Sequence, residues 1–396
     1  MQQYWRCQME SFALPIEAMR ARRGIKWRRY GDEVVPASIA DMDFAVAEPV
    51  QRAIRSLVDQ HDYGYAHREG HDRVESAFAD RMRARFGWDA SHERTVLISD
   101  VLQGIAAAIL AFSEPGDGVV VQTPIYPPFL SGIDGTGRRR VLNPLVDSRV
   151  RLDVDAEGLR GVVDDRTRIL LLCNPHNPSG RAFEREELAA IGSIAVERDL
   201  VIVSDEIHCD LVYPGGRHIP TGSLGQEIAA RTITLNSATK GFNIAGLRCA
   251  VMHFGSEELL AGFRKAIPER LLGGVSAIGI DATIAAWREG QPWLDGVMER
   301  LLANRDRLNA WVADAMPAVQ FYRPEATYLA WLDCSRLALP AASPQEFFLE
   351  EAGVALGLGS DFGPGAENCV RLNFATSAPI LEEVLERMAG AVRQAP

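Results

Sequence analysis

From about residue 95 the chain alternates short apolar runs with stretches of helical periodicity. The runs TVLIS, GVVVQTP, RILLLCNP, LVIVSDE, TITLNS and CAVMHFG read as strands. Between them lie QGIAAAILAFS and EREELAAIGSIAVERD, each with an apolar helical face. This order predicts an α/β fold: a mainly parallel sheet covered by helices on both faces. After about residue 285 the pattern changes. A long helical stretch, PWLDGVMERLLANRDRLNAWVADAM, leads to TYLAWLDCS, a helix, VRLNFA and a last helix. The pattern predicts an arm over 1–45, a large domain over 46–285 and a smaller α+β domain over 286–396. The irregular arm has to pack on the small domain or on a partner subunit.

Composition narrows the class. The 396 residues are 47% hydrophobic and 24% charged, as in a globular soluble chain. A net charge of -11 argues against nucleic acid or an anionic membrane as partner. The two dense basic runs, RARRGIKWRRY and GRRRV, read as solvated loops. Six scattered cysteines form no C-x-x-C pair, which fits reduced thiols in the cytoplasm. MQQYWRCQMESFALP carries no apolar signal core, and no run reaches membrane-spanning length.

Three strand ends carry polar residues that a buried sheet would not choose. One ends in Asn174 and Asn177, one in Ser204, Asp205, Glu206 and His208, and one in Asn236, Ser237, Thr239 and Lys240. Singly they read as turn residues, a helix cap and a surface lysine. Together, at the carboxyl edge of one sheet, they make a site. A lysine in a loop rich in hydroxyls and amides suits phosphate binding, or a Schiff base with an aldehyde. A Walker loop is absent, and no G-x-G-x-x-G follows a strand, which disfavours a nicotinamide dehydrogenase. A Schiff base with pyridoxal 5'-phosphate (PLP) needs a carboxylate for the pyridine nitrogen, a partner for the ring oxygen and a phosphate cup.

The blocks ADMDF, DYGY, YPPF, CNPHNPSGR, SDEIHCDLVYPG, TKGFNIAGL, TYLAWLD and VRLNFA, in this order, resemble the fold type I PLP enzymes of the aminotransferase class I/II superfamily. DEIHCDLVY and FNIAGL resemble the cystathionine β-lyase group of MalY and PatB. The resemblance covers nearly the whole chain. It implies that Lys240 carries the cofactor and then shuttles protons, that Asp205 pairs with the pyridine nitrogen, and that Asn177 bonds the ring oxygen. His208 stands where many relatives place a tyrosine for that oxygen. Tyr126 is implied to stack on the ring. Ser237, Thr239 and the backbone of Val101 and Leu102 are implied to hold the phosphate, with Arg248 at the position of the aminotransferases' phosphate-binding arginine. Tyr65 is implied to reach the phosphate of the neighbouring subunit in a homodimer with a shared site. Arg371 is implied to clamp the substrate α-carboxylate, with Asn177 and Tyr126 beside it.

The chain departs from the lyase branch in three respects. The branch has Gly-Val-Val where this chain has Asp100-Val101-Leu102, Arg248 is not typical of it, and NSATK differs from its common APSK. The implied activity is α,β-elimination on an S-substituted cysteine, releasing thiol, pyruvate and ammonia. Alternatives are an aminotransferase and a specialised-metabolism relative of the lincosamide type. The latter would act on a bulky S-cysteine conjugate by elimination or by decarboxylation-coupled oxidative deamination. A cofactor-bound regulator would need a further N-terminal DNA-binding domain.

Overall fold

The computed structural model describes residues 13–395. Cys7 and most of the N-terminal stretch read above for a signal core lie outside the described residues. Seven strands form the large sheet: β1 (Thr95–Ile98), β2 (Gly118–Thr123), β3 (Arg139–Pro144), β4 (Thr167–Cys173), β5 (Val201–Asp205), β6 (Thr232–Asn236) and β7 (Ala250–Phe254). Their order across the sheet is β1-β7-β6-β5-β4-β2-β3. Only β7 runs antiparallel to its neighbours.

The continuous apolar runs follow from burial on both faces. Side chains alternate along a strand. Val119, Val121, Ile169 and Leu171 therefore face one helical layer, with Ile105, Phe129 and Phe263. Val120, Leu170, Leu172 and Ile202 face the other, with Leu159, Leu188 and Ile191. Helix Val101–Phe112 lies close to the sheet because Gly104 has no side chain. A Cβ there would stand 2.7 Å from Ile98 and 2.9 Å from Leu235. Strand register aligns the carboxyl ends: Cys173 lies opposite Asp205, and Asp205 opposite Leu235. The loops after β4, β5 and β6 therefore leave the sheet at one edge.

A second, antiparallel sheet holds β8 (Gln320–Tyr322), β9 (Leu329–Asp333), β10 (Gly357–Leu358) and β11 (Cys369–Asn373), in the order β8-β9-β11-β10. Helices Pro344–Ala352 and Ala378–Gln394 pack together beside it. Val35–Pro36 pairs in parallel with Val354–Ala355, so this part of the N-terminal arm docks on the C-terminal residues.

Both basic runs differ from the expected solvated loops. GRRRV enters edge strand β3, where Val141 is buried and Arg139 and Arg140 are exposed. Arg139 and Arg140 reach Asp164 and Asp134. Arg138 is itself buried and bonds Ser113. An edge strand with outward arginines resists pairing with other chains, and its charges hide its β character in the sequence. In RARRGIKWRRY, helix Ile25–Arg28 buries Lys26 and Trp27. Lys26 Nζ lies 2.7 Å from Asp43 Oδ2 and Trp27 Nε1 donates to Asp43 Oδ1 at 2.7 Å, all in the core.

Removing one partner of a buried ion pair leaves the other uncompensated, at a cost of about 3–5 kcal/mol. Asp43→Ala is expected to lower stability by that order in thermal or urea unfolding. Lys26→Met with Asp43→Leu together is expected to cost less than either single change. Single variants as stable as the parent would contradict a role for this pair in holding the arm.

Candidate active site

A cavity of about 350 Å³ opens at the aligned strand ends. Its walls include Tyr126, Asn177, Asp205, His208, Ser237, Thr239, Lys240 and Arg248, with Val101 and Leu102 at the start of their helix. Ten of the twelve site residues named from sequence thus line one space. Arg371 joins them through Asn177, to whose Oδ1 its Nη1 donates at 3.0 Å. It is buried on β11, not solvated. Tyr65 lies outside the cavity and is fully exposed in the single chain.

Period-two alternation sorts the polar end of β5. Asp205 faces the cavity. Its neighbours serve a separate buried network: Glu206 accepts from Ser204 Oγ and the Thr221 N–H, both at 2.9 Å, and lies 3.0 Å from His218 Nε2. Asn174, the other amide named at the end of β4, is structural. Its Oδ1 accepts the Phe183 N–H at 3.0 Å. Ser237 caps the short helix Ala238–Gly241 and presents Lys240 at its third position. The hydroxyls of Ser237 and Thr239 lie 2.9 Å apart.

Lys240 Nζ donates to the Ala40 carbonyl at 2.7 Å. Burial lowers its pKa; the nearby Arg371 charge acts in the same sense, while Asp41 and Asp205 oppose it. Asp205 Oδ1 accepts the Ile207 N–H at 3.0 Å. Burial raises the Asp205 pKa to about 7, against that hydrogen bond and the Lys240 charge, with Glu206 adding to the rise. Burial also pulls His208 down to about 3, helped by the charges of Lys240 and Arg371, so its imidazole is neutral. His208 Nδ1 is buried with no hydrogen-bond partner. Arg371 is lowered by burial to about 10 and stays cationic at neutral pH. The Cys173 thiol, on the cavity wall, is pushed up by burial and by Asp205, so it is not a thiolate nucleophile.

Sequence reasoning missed the cavity's roof. Ala40 lines the cavity, and its carbonyl also accepts from Tyr328 Oη at 3.1 Å. Asn373 Nδ2 donates to the Ile39 and Asp41 carbonyls at 2.6 and 2.7 Å. Arg371 Nη2 donates to the Ser38 carbonyl at 2.7 Å. Asn243 Nδ2 donates to the Met42 and Phe44 carbonyls at 3.1 and 3.0 Å. The block ADMDF begins at Ala40, but a carbonyl acceptor belongs to every residue, so nothing in the sequence marked this one as the partner of Lys240.

These groups fit PLP. A buried carboxylate with a raised pKa is a place for a cationic N–H. A buried amine with a lowered pKa suits an aldehyde. Paired hydroxyls beside a helix start suit a phosphate.

Residues 33–388 match the family model "Aminotransferase class I and II". The chain belongs to this family. It is 34% identical to cystathionine β-lyase PatB of Bacillus subtilis over 93% of this chain and 97% of PatB. The crystal structure of OvoB superposes with a TM-score of 0.90 at 38% identity, over 95% of this chain and 98% of that one. Cystalysin from Treponema denticola, which contains a PLP cofactor, superposes with a TM-score of 0.89 at 28% identity, over 94% and 97% of the two chains.

The raised pKa of Asp205 carries a stability prediction. A carboxyl whose folded pKa lies above its ordinary value supports folding fully below that ordinary value. The support is lost as pH rises through about 7. Asp205→Asn is therefore expected to raise the melting temperature of the cofactor-free protein by a few degrees at pH 8, with the gain shrinking as pH falls toward 5. An equal gain at both pH values, or a loss at pH 8, would contradict an uncompensated charge at this position.

Proposed function

We propose that this family member is a PLP-dependent carbon–sulfur lyase. It converts an S-substituted L-cysteine to a thiol, pyruvate and ammonia by α,β-elimination. The observation that carries this reading is the placement of Lys240 and Asp205 in one cavity, in a chain similar over its length to a cystathionine β-lyase.

When bound, PLP draws electrons from the amino-acid Cα, which makes its proton acidic and lets a thiolate leave Cβ. Lys240 would hold the cofactor aldehyde and then, as a free amine, take the Cα proton at Nζ. Burial lowers its pKa, which favours the neutral amine that can accept a proton. Asp205 would face the ring nitrogen and keep it protonated. Asn177 and the neutral His208 would offer hydrogen bonds to the ring oxygen. Tyr126, half-buried at the start of helix Pro127–Gly135, would cover the ring. Ser237, Thr239 and the N–H groups opening helix Val101–Phe112 would hold the phosphate, with Arg248 beside them. Arg371, buried and cationic, would bind the α-carboxylate in a fork. The family also includes transaminases, and the same residues would serve proton transfer in that reaction.

We further propose a cytoplasmic homodimer with a shared site. The five cysteines among the described residues are free and buried, as suits a reducing compartment. The loop holding Tyr65 is anchored by a forked pair, Arg68 Nε and Nη2 to Asp281 at 2.9 and 2.8 Å, yet leaves Tyr65 uncovered. A second subunit would cover it.

Two measurements test these readings. Purified protein with PLP is expected to release thiol and pyruvate from S-substituted cysteines without an added keto acid. Borohydride is expected to fix the cofactor on Lys240. Turnover that requires a keto acid would make it an aminotransferase, and release of hydrogen peroxide would favour oxidative deamination. For the shared site, a mixture of inactive Lys240→Ala and Tyr65→Ala chains is expected to regain activity as subunits exchange. Demonstrated exchange without regained activity would overturn it.

A further inference from the structure

Asp100 and Arg248, far apart in sequence, are partners in the fold. Arg248 Nη2 donates to Asp100 Oδ2 across 148 residues of sequence. Both side chains line the cavity that holds Lys240. The other carboxylate oxygen, Oδ1, accepts the Gln103 N–H at 2.9 Å, so Asp100 is also the N-cap of helix Val101–Phe112. One internal carboxylate thus occupies both positive features at this end of the cavity, the arginine and the helix start.

Arg248 is poised to change partner. Its side chain is 64% exposed and that of Asp100 is 28% exposed, so the bond between them is partly screened by water. Among the described residues the Arg248 guanidinium has no other hydrogen-bond partner. A phosphate arriving beside Ser237 and Thr239 would meet an arginine that can re-aim and a carboxylate that cannot leave without uncapping the helix.

We propose that Asp100 is an internal competitor for the cofactor phosphate, so that this chain holds PLP less tightly than its phosphate site allows. The inference rests on the PLP reading above. Arg248 leaves Asp100 for the phosphate when PLP binds. The residual like-charge repulsion between Asp100 and the phosphate sets the affinity. The opposite expectation, that Asp100 orients Arg248 toward the phosphate, predicts the reverse sign on removing its charge.

Asn caps helices about as well as Asp, so Asp100→Asn removes the charge and keeps the cap. The test titrates cofactor-free protein with PLP, and separately with pyridoxal, which has the same ring and aldehyde but no phosphate. Binding is read from visible absorbance. Asp100→Asn is expected to tighten PLP by about tenfold at low salt, with a smaller gain at high salt, and to leave pyridoxal within about twofold. Arg248→Gln is expected to weaken PLP by about tenfold with pyridoxal again little changed. PLP affinity unchanged or weaker in Asp100→Asn overturns the proposal, as does equal tightening of pyridoxal. If the parent protein captures no PLP on Lys240, the cofactor reading fails and the proposal falls with it. Capture by the parent together with the wrong sign in Asp100→Asn refutes the competitor alone.

Discussion

The Lys240 amine is held among protein groups that solvate an ammonium poorly, and the shape of the site follows from that constraint. Burial makes the charged form expensive, so the amine needs a partner that tolerates its neutral form. The Ala40 carbonyl is such a partner: it accepts an N–H from either protonation state. It can serve only if the segment carrying it stays in place, 200 residues away in sequence. Residues 38–44 are therefore held from all sides. Asn373 and Arg371 hold them from the C-terminal sheet and Asn243 from the loop after Lys240. Lys26 and Trp27 lock Asp43 from beneath. This segment joins the two sheets over the lysine.

The charges around the cavity complement a ligand that carries its own. Asp205 is a buried carboxyl with no ion-pair partner among the described residues, and Arg371 is a buried cation whose hydrogen bonds go to neutral oxygens, Asn177 Oδ1 and the Ser38 carbonyl. Each is costly alone and favourable beside an opposite charge on a bound molecule. The neutral His208, edge-on to Tyr328 at 6.0 Å, adds a polar group without adding charge.

The large sheet was legible because its strands are buried on both faces and their apolar runs end in polar clusters. Register then brought Asn177, Asp205 and Lys240 to one edge, as the order of motifs implied. The arm's internal packing was not legible. Lys26 reads as solvated in a run of arginines, and only the fold supplies the Asp43 that makes its burial tolerable. Strand β3 was hidden for a related reason: its arginines pair with Asp134 and Asp164, which no periodicity reveals. At the strand ends, sequence grouped Glu206 and Asn174 with the site. Alternation turns Glu206 away, and Asn174 serves a turn.

Three lysines in the chain make the central claim directly measurable. In the cofactor-free protein, trace acetylation across a pH series, read by mass spectrometry of each lysine peptide, reports the free amine at Lys240 against exposed Lys265. The lowered pKa predicts that Lys240 reaches half-maximal reactivity at a clearly lower pH than Lys265. Coincident titration of the two, or a higher midpoint for Lys240, would contradict an amine poised by burial.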